Sequence, residues 1–323
     1  FKELVKSVDI LVENHPPQEM ADLGLDYSSL KRINPHLVMT SITPFGQSGP
    51  YRDYKAYDIN SQAAGGLAYI TGDPEREPLL TPWGQAGYQA ALNAAVGTLS
   101  ALYWREATGL GQHVDISVQE CIASVLGDVI SFYSYMGTVK PRRTTPLDFA
   151  GVTVWPVDIY ECKDGYVSIC ILEPHQWRGF VDLIGNPEWA SDPRLEDRRI
   201  FLERSEEQEV PDLGPLIKET LKSYTVDQLF HEGQRRRIPI TPVHNAQDLF
   251  NFPQLNERGF FVQIEHPKVG RLTYPGAPFK LSETPWSLER PAPLLGEHNE
   301  EILSHRLGYS KMDLVKMAEA GII

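Results

Sequence analysis

Lys55 and Tyr57 stand two residues apart, so in an extended segment an ammonium and a phenol share one face. Together they can hold a phosphate, a carboxylate or a thioester oxygen. A solvated lysine beside a packed tyrosine is the other reading of the same pair. Just upstream runs Phe45-Gly46-Gln47-Ser48-Gly49-Pro50. Glycine adopts conformations closed to other residues and lets backbone approach a ligand, although a tight structural turn uses the same residues. Glu13 and Asn14 follow a short apolar run, where a parallel strand delivers polar groups to a ligand. The other chemistry-bearing residues read more plainly. His15, His36, His113, His175 and His244 are scattered and are taken as structural or surface histidines. Arg235, Arg236 and Arg237 suit a solvated helix end, with a phosphate or an acidic partner as the alternative. Trp104 and Trp155 are assigned to core packing. No Walker loop, zinc signature, GxSxG elbow or GxGxxG occurs.

The elements that must position these groups follow from apolar periodicity. Residues 1–14 read as an amphipathic helix and then a strand at 8–12. Residues 18–33 read as short helices broken at Gly24, and 37–42 as a second buried strand. That order favours a parallel α/β sheet. Residues 44–57 form a loop, 58–70 a helix rich in small residues, and 71–78 a surface turn. Residues 86–106 are apolar almost all round, which predicts a core helix. A strand at 113–118 and a helix at 119–135 follow, then a linker at 138–150 carrying Lys140, Arg142 and Arg143.

Beyond the linker, 152–159 and 166–171 read as a hairpin. The span 176–235 is largely helical, with an acidic cluster at 203–209. Pro239 and Pro242 open a loop that leads to a helix near 245–250. An antiparallel pair at 260–265 and 270–274 comes next, and 293–321 hold a loop and two short helices. The expected organisation is a large domain over 1–145, a small domain over 146–240, and a return to the large domain over 241–323.

Composition narrows the function class. Of 323 residues, 41% are apolar and 23% charged, and the net charge is −13. A broad nucleic-acid or anionic-membrane surface is thereby excluded, while a local basic pocket remains open. Three widely spaced cysteines fit a reducing, cytoplasmic compartment. No apolar run reaches 18 residues and nothing resembles a signal peptide. The chain opens without Met, at what reads as the end of a helix.

Five stretches carry a family resemblance: residues 9–14 (DILVEN), 37–50 (LVMTSITPFGQSGP), 108–117 (TGLGQHVDIS), 163–167 (KDGYV) and 296–298 (GEH). With the ending, Leu307-Gly308-Tyr309-Ser310 to Gly321-Ile322-Ile323, they run in family order over essentially the whole chain. The sequence resembles the class III CoA-transferases, the CaiB/BaiF family, which includes formyl-CoA transferase and α-methylacyl-CoA racemase. The resemblance implies an α/β fold: an open Rossmann-like large domain with a parallel sheet, a smaller α/β domain, and two chains interlocked as a dimer. It implies coenzyme A or acyl-CoA as substrate and no metal. Relatives also carry an N-terminal βα section ahead of the point where this sequence starts.

In such transferases an Asp carboxylate attacks the acyl-CoA thioester to give a mixed anhydride. CoA thiolate then yields an enzyme–CoA thioester, from which the second acid collects the CoA. That Asp lies ten residues before the glycine matching Gly97, which places Gly87 at its position. No residue from Thr81 to Tyr88 is a carboxylate. Tyr57 stands where the racemase branch has its histidine base. Pro16 replaces the family's arginine after the first strand, removing a fixed cationic fork.

The resulting expectation is a CoA-transferase subunit with no catalytic residue of its own, paired with a homologous Asp-containing subunit. Asn14, His15, Lys55 and Tyr57 would shape a CoA pocket, and Gly46 and Gly49 the loop around it. Its substrates would be an acyl-CoA donor such as succinyl-CoA and a carboxylic acid, with neither nucleic acid nor membrane as partner. Two other readings stay open. One is a self-sufficient enzyme of altered chemistry using Glu13, Asp58 or Glu120. The other is a non-catalytic structural or CoA-binding partner.

Overall fold

The structure is a computed structural model that describes residues 1–142, 148–149, 152–153, 156–192, 195 and 213–323. The chain divides into two compact units, Phe1–Thr144 and Thr145–Ile323.

The first unit is built on three parallel strands in the order β1 (Ile10–Glu13), β2 (Val38–Thr43) and β3 (His113–Ser117). Ile10 pairs with Val38 and Glu13 with Ser41; Met39 pairs with His113 and Thr43 with Ser117. Parallel neighbours require crossovers. After α1 (Lys2–Val5) and β1, the helices α2 (Pro17–Asp22) and α3 (Tyr27–Lys31) make the first crossover. Gly24, at φ +62°, separates them, as the sequence suggests. Asp26 caps α3, accepting from Ser29 N–H at 3.1 Å and Ser28 Oγ at 2.5 Å. These donors, with the Ser28 hydroxyl foremost, hold its carboxyl down at about 2. Val5, Met20, Leu30, Leu37 and Met39 form the core beneath.

The second crossover contains α4 (Asp58–Ala64), α5 (Leu67–Ile70) and α6 (Gln85–Thr108). The continuous helix expected over 58–70 breaks at Gly65-Gly66, because Gly66 takes φ +91°. The reading of α6 as a core helix is corrected by its packing. Only Ala86, Ala90, Ala94, Thr98 and Ala101 are buried. These small residues let the helix lie close to β2 and β3, and Thr98 Oγ1 meets Thr40 Oγ1 at 2.6 Å. The large residues Tyr88, Leu92, Val96, Leu99 and Tyr103 face outward, each at least 63% exposed. Trp104 is also exposed rather than in the core, and Trp155 lies outside the described residues.

After β3, the helix expected over 119–135 is two helices, α7 (Val118–Ser124) and α8 (Gly127–Met136). In the linker, Lys140 pairs with Asp128 at 2.7 Å. Arg142 donates to the carbonyls of Tyr69, Asp73 and Arg76, closing the surface turn. Arg143 lies outside the described residues.

In the second unit, the expected single strand over 152–159 is two. β5 (Val152–Thr153) pairs with β4 (Asp148–Phe149), and β6 (Val157–Glu161) pairs antiparallel with β7 (Tyr166–Cys170). The region expected as a loop at Pro239 and Pro242 contains a third strand, β8 (Ile240–Pro242), paired antiparallel with β7. It lies at the sheet edge, where proline is tolerated because no outer neighbour needs its N–H. Helices α9 (Pro174–Leu183), α10 (Gly214–Leu221) and α11 (Val226–Arg235) pack on this sheet. Tyr160, Trp177, Phe180, Ile217, Leu229 and Ile240 lie in the shared core.

The acidic cluster at 203–209 lies outside the described residues. At the end of α11, Arg235 pairs with Glu232, and Arg236 pairs with Glu232 and Asp182, in line with a structural helix end. Helices α12 (Ala246–Asn251) and α13 (Pro253–Glu257) precede a hairpin of β9 (Phe261–His266) and β10 (Gly270–Pro275). A π-helical turn at Glu300–Arg306 and α14 (Lys311–Glu319) complete the unit. Among the described residues, no helix is long and apolar enough to cross a membrane.

Candidate functional site

Parallel strands end at one edge of their sheet, and β1, β2 and β3 send the polar candidates there. Glu13, the last residue of β1, is buried, and its Oε2 accepts the His15 N–H at 2.6 Å. This contact folds Asn14 and His15 over the strand end. Both are exposed, and the His15 ring lies 3.5 Å from Glu19.

From the end of β2, the loop turns through Gly46 at φ +81°, a conformation that favours glycine. The Gln47 N–H donates to both carboxylate oxygens of Asp115 on β3, at 3.0 and 3.1 Å. Gly46 and Gly49 therefore belong to a loop clamped to the sheet edge. Among the described residues, Thr43 Oγ1 and Gln47 Nε2 are buried without a hydrogen-bond partner. Buried donors without partners are uncommon, and both atoms are closed off from the surface. In the same loop the Phe45 and Tyr51 rings meet edge-on and those of Tyr51 and Tyr54 at a tilt, with centroids 6.3 and 5.0 Å apart.

Lys55 and Tyr57 sit at the other end of this loop, both exposed, immediately before α4. The Tyr57 N–H donates to Asn60 Oδ1 at 3.0 Å. Asn14, His15, Gly46 and Gly49 thus share the sheet edge, while Lys55 and Tyr57 are placed by the start of α4.

Sequence reasoning named Asp58 as a candidate carboxylate but missed its anchoring role, and missed Gln62 altogether. Asp58 Oδ1 accepts the Ala86 N–H at 2.9 Å, and Asp58 Oδ2 accepts from Gln62 Nε2 at 2.6 Å. Gln62 is fully buried and also bonds Thr81. The i, i+4 spacing of Asp58 and Gln62 on a helix was the available signal. Asp115 was missed too, although alternation along β3 places it on the face opposite its neighbours Val114 and Ile116.

Gly87 lies in the first turn of α6, exposed, and a Cβ built on it would meet nothing within 4 Å. The carboxylates at the strand ends and at the start of α4 each hold a neighbour. Glu13 holds His15, Asp58 holds Ala86 and Gln62, and Asp115 holds Gln47. A carboxylate that accepts hydrogen bonds is a poorer nucleophile than a free one. Glu120 is exposed on α7.

His113 has a structural place. Its Nε2 meets Ser41 Oγ at 2.8 Å and its ring stacks on Tyr27 at 5.3 Å. Burial pushes its pKa down, against the opposing pull of Asp115 and Glu13. Ser41 is fully buried, so this Ser–His pair has no access to a substrate. Among the described residues, no group of three His, Cys, Asp or Glu side chains is arranged to hold a metal.

Residues 1–299 match the family described as CoA-transferase family III. This chain belongs to that family. The sequence is 31% identical to the succinyl-CoA:(R)-benzylsuccinate CoA-transferase subunit BbsE of Thauera aromatica, over 100% of this chain and 78% of that protein. It is 30% identical to the succinyl-CoA–L-malate CoA-transferase alpha subunit of Chloroflexus aurantiacus, over 100% of this chain and 74% of that one. Among solved structures, a CaiB/BaiF family protein from Brucella suis is similar at TM-score 0.79 and 30% identity, covering 94% of this chain and 77% of the other. The α/β fold with its parallel sheet is therefore the family's fold. This family III chain is a CoA-transferase, and its substrate class is CoA and its thioesters.

Proposed function

We propose that this chain is the subunit of a class III CoA-transferase that lacks the attacking carboxylate and works beside a homologous, Asp-containing chain. The observation that carries the reading is Gly87. It occupies an open position in the first turn of α6, and the Asp58 carboxylate next to that turn is bound to the Ala86 N–H and the Gln62 amide. The covalent steps then belong to the companion chain. This chain contributes the surface that receives part of the CoA thioester.

In that surface Lys55 and Tyr57 meet a phosphate or the thioester oxygen. Asn14 and His15 line the end of β1, and Gly46 and Gly49 fix the loop around the ligand. Assembly with a second chain is supported by the outward face of α6, whose large apolar residues are exposed in the single chain. We take the assembly to be an interlocked pair in the cytoplasm. Several similar proteins are named as succinyl-CoA transferases, and four of them as subunits. These names support succinyl-CoA as donor and a carboxylic acid as acceptor.

The test is purification from the native source without a tag, followed by the intact mass of every chain in the complex. Two chains of similar size support the reading. One mass, matching a homomer that still transfers CoA, overturns it and returns the self-sufficient enzyme.

A further inference from the structure

The Gln62 side chain is fully buried and uses every hydrogen-bonding position of its amide. Nε2 donates to Asp58 Oδ2 at 2.6 Å and to the Thr81 carbonyl at 3.2 Å. Oε1 accepts from Thr81 N–H at 3.0 Å and from Thr81 Oγ1 at 2.8 Å. A primary amide has two N–H donors and two lone pairs, so none is left over. Asp58 completes the connection by accepting the Ala86 N–H at 2.9 Å. Two segments distant in sequence, the one ending in Lys55-Ala56-Tyr57 and the one opening α6, are thus joined by a single buried group.

We propose that Gln62, with Asp58 and Thr81, is a positioning latch for the CoA site. It fixes where residues 55–57 enter α4 relative to the first turn of α6. Gln62 touches no substrate. It acts through Asp58, which follows Tyr57 directly and whose other oxygen holds Ala86. Losing one donor inside a buried, saturated network leaves its partners unpaired and releases both segments together. The inference rests on the reading of Lys55 and Tyr57 as CoA contacts.

The test uses the intact complex and a swapped pair. In Gln62→Glu, two carboxylates face one another. In Asp58→Asn, two NH2 groups face one another when the Asn oxygen keeps Ala86. The double variant Asp58→Asn/Gln62→Glu restores donor to acceptor at that contact while preserving net charge. Each single variant is expected to raise KM for the acyl-CoA roughly ten-fold with kcat less affected, and the double variant to recover part of it, because the carboxylate at position 62 still faces the Thr81 carbonyl. A merely structural role would lower the thermal midpoint of the single variants and leave KM of the folded enzyme unchanged. That result overturns the latch, as does a double variant no better than the singles.

Amide hydrogen exchange at Thr81 and Ala86 separates this failure from failure of the functional reading. If the wild-type chain has no affinity for acyl-CoA, the CoA-pocket reading falls. The latch is then judged on exchange alone: protection lost at both amides in the singles and regained in the double supports it, and equal protection in all four proteins overturns it.

Discussion

The carboxylate of Asp58 accepts the backbone N–H of Ala86 at 2.9 Å, one residue before Gly87. The start of α6 is therefore held in place whether or not residue 87 carries a side chain. Gly87 has open space around it, so a side chain at this position would meet no neighbour.

Gly87→Asp should accordingly fold and gain function. An acidic residue in the first turn of a helix is favourable by roughly 0.3–1 kcal/mol, and removing a helical glycine adds to this. Repulsion from Asp58 offsets part of the gain, leaving an expected stabilisation of about 0.5 kcal/mol by urea unfolding. The purified variant alone should form a covalent CoA adduct that is absent from the unmodified chain, read by intact mass after incubation with succinyl-CoA.

The outward face of α6 should decide assembly. Leu92 and Leu99 are 64% and 65% exposed and lie two turns apart on one stripe. Exposed apolar stripes of this kind mark association surfaces. Leu92→Glu/Leu99→Glu is expected to leave the circular dichroism spectrum intact and to reduce the native mass to that of one chain.

Much of this was legible in the sequence, and the misses have physical reasons. Sequence pattern marked β1, β2 and β3 within a residue or two, β1 and β2 by short apolar runs and β3 by its polar–apolar alternation. The α6 pattern gave the helix but not its buried side. A helix apolar all round has no polar face to orient it, and here the small residues rather than the large ones meet the sheet. β8 was hidden by Pro239 just before it and Pro242 within it, which an edge strand accepts. Lys55 and Tyr57 were found as chemically capable types, whereas Gln62 and Asp115 act through contacts across 19 and 68 residues of chain. Spacing along a sequence does not encode such contacts.

His113 predicts a pH dependence of stability. Its folded pKa lies below the ordinary histidine value because burial disfavours the charged ring. The unfolded chain therefore binds the proton first as pH falls. The stabilisation is complete above the unfolded pKa of about 6.5 and is lost as pH drops through the lower folded value. Urea midpoints at pH 8 and pH 5 should differ more for the wild type than for His113→Gln, which lacks the titrating ring.

Gly111 predicts a steric failure. A Cβ there would lie 2.0 Å from the Leu37 carbonyl oxygen, at the entrance to β3. Gly111→Ala must part backbone from backbone, and should cost on the order of 3–5 kcal/mol or prevent folding. Gly87→Ala, with open space around it, serves as the control and should be neutral or stabilising by chemical denaturation.

The most direct test of the central claim is the site of the covalent intermediate. The natively purified complex would be incubated with succinyl-CoA and quenched, and each chain weighed and mapped by peptide mass. The account predicts CoA attached to an aspartate of a companion chain, with this chain unmodified. A CoA adduct on Glu13, Asp58, Glu120 or any other residue of this chain would contradict it.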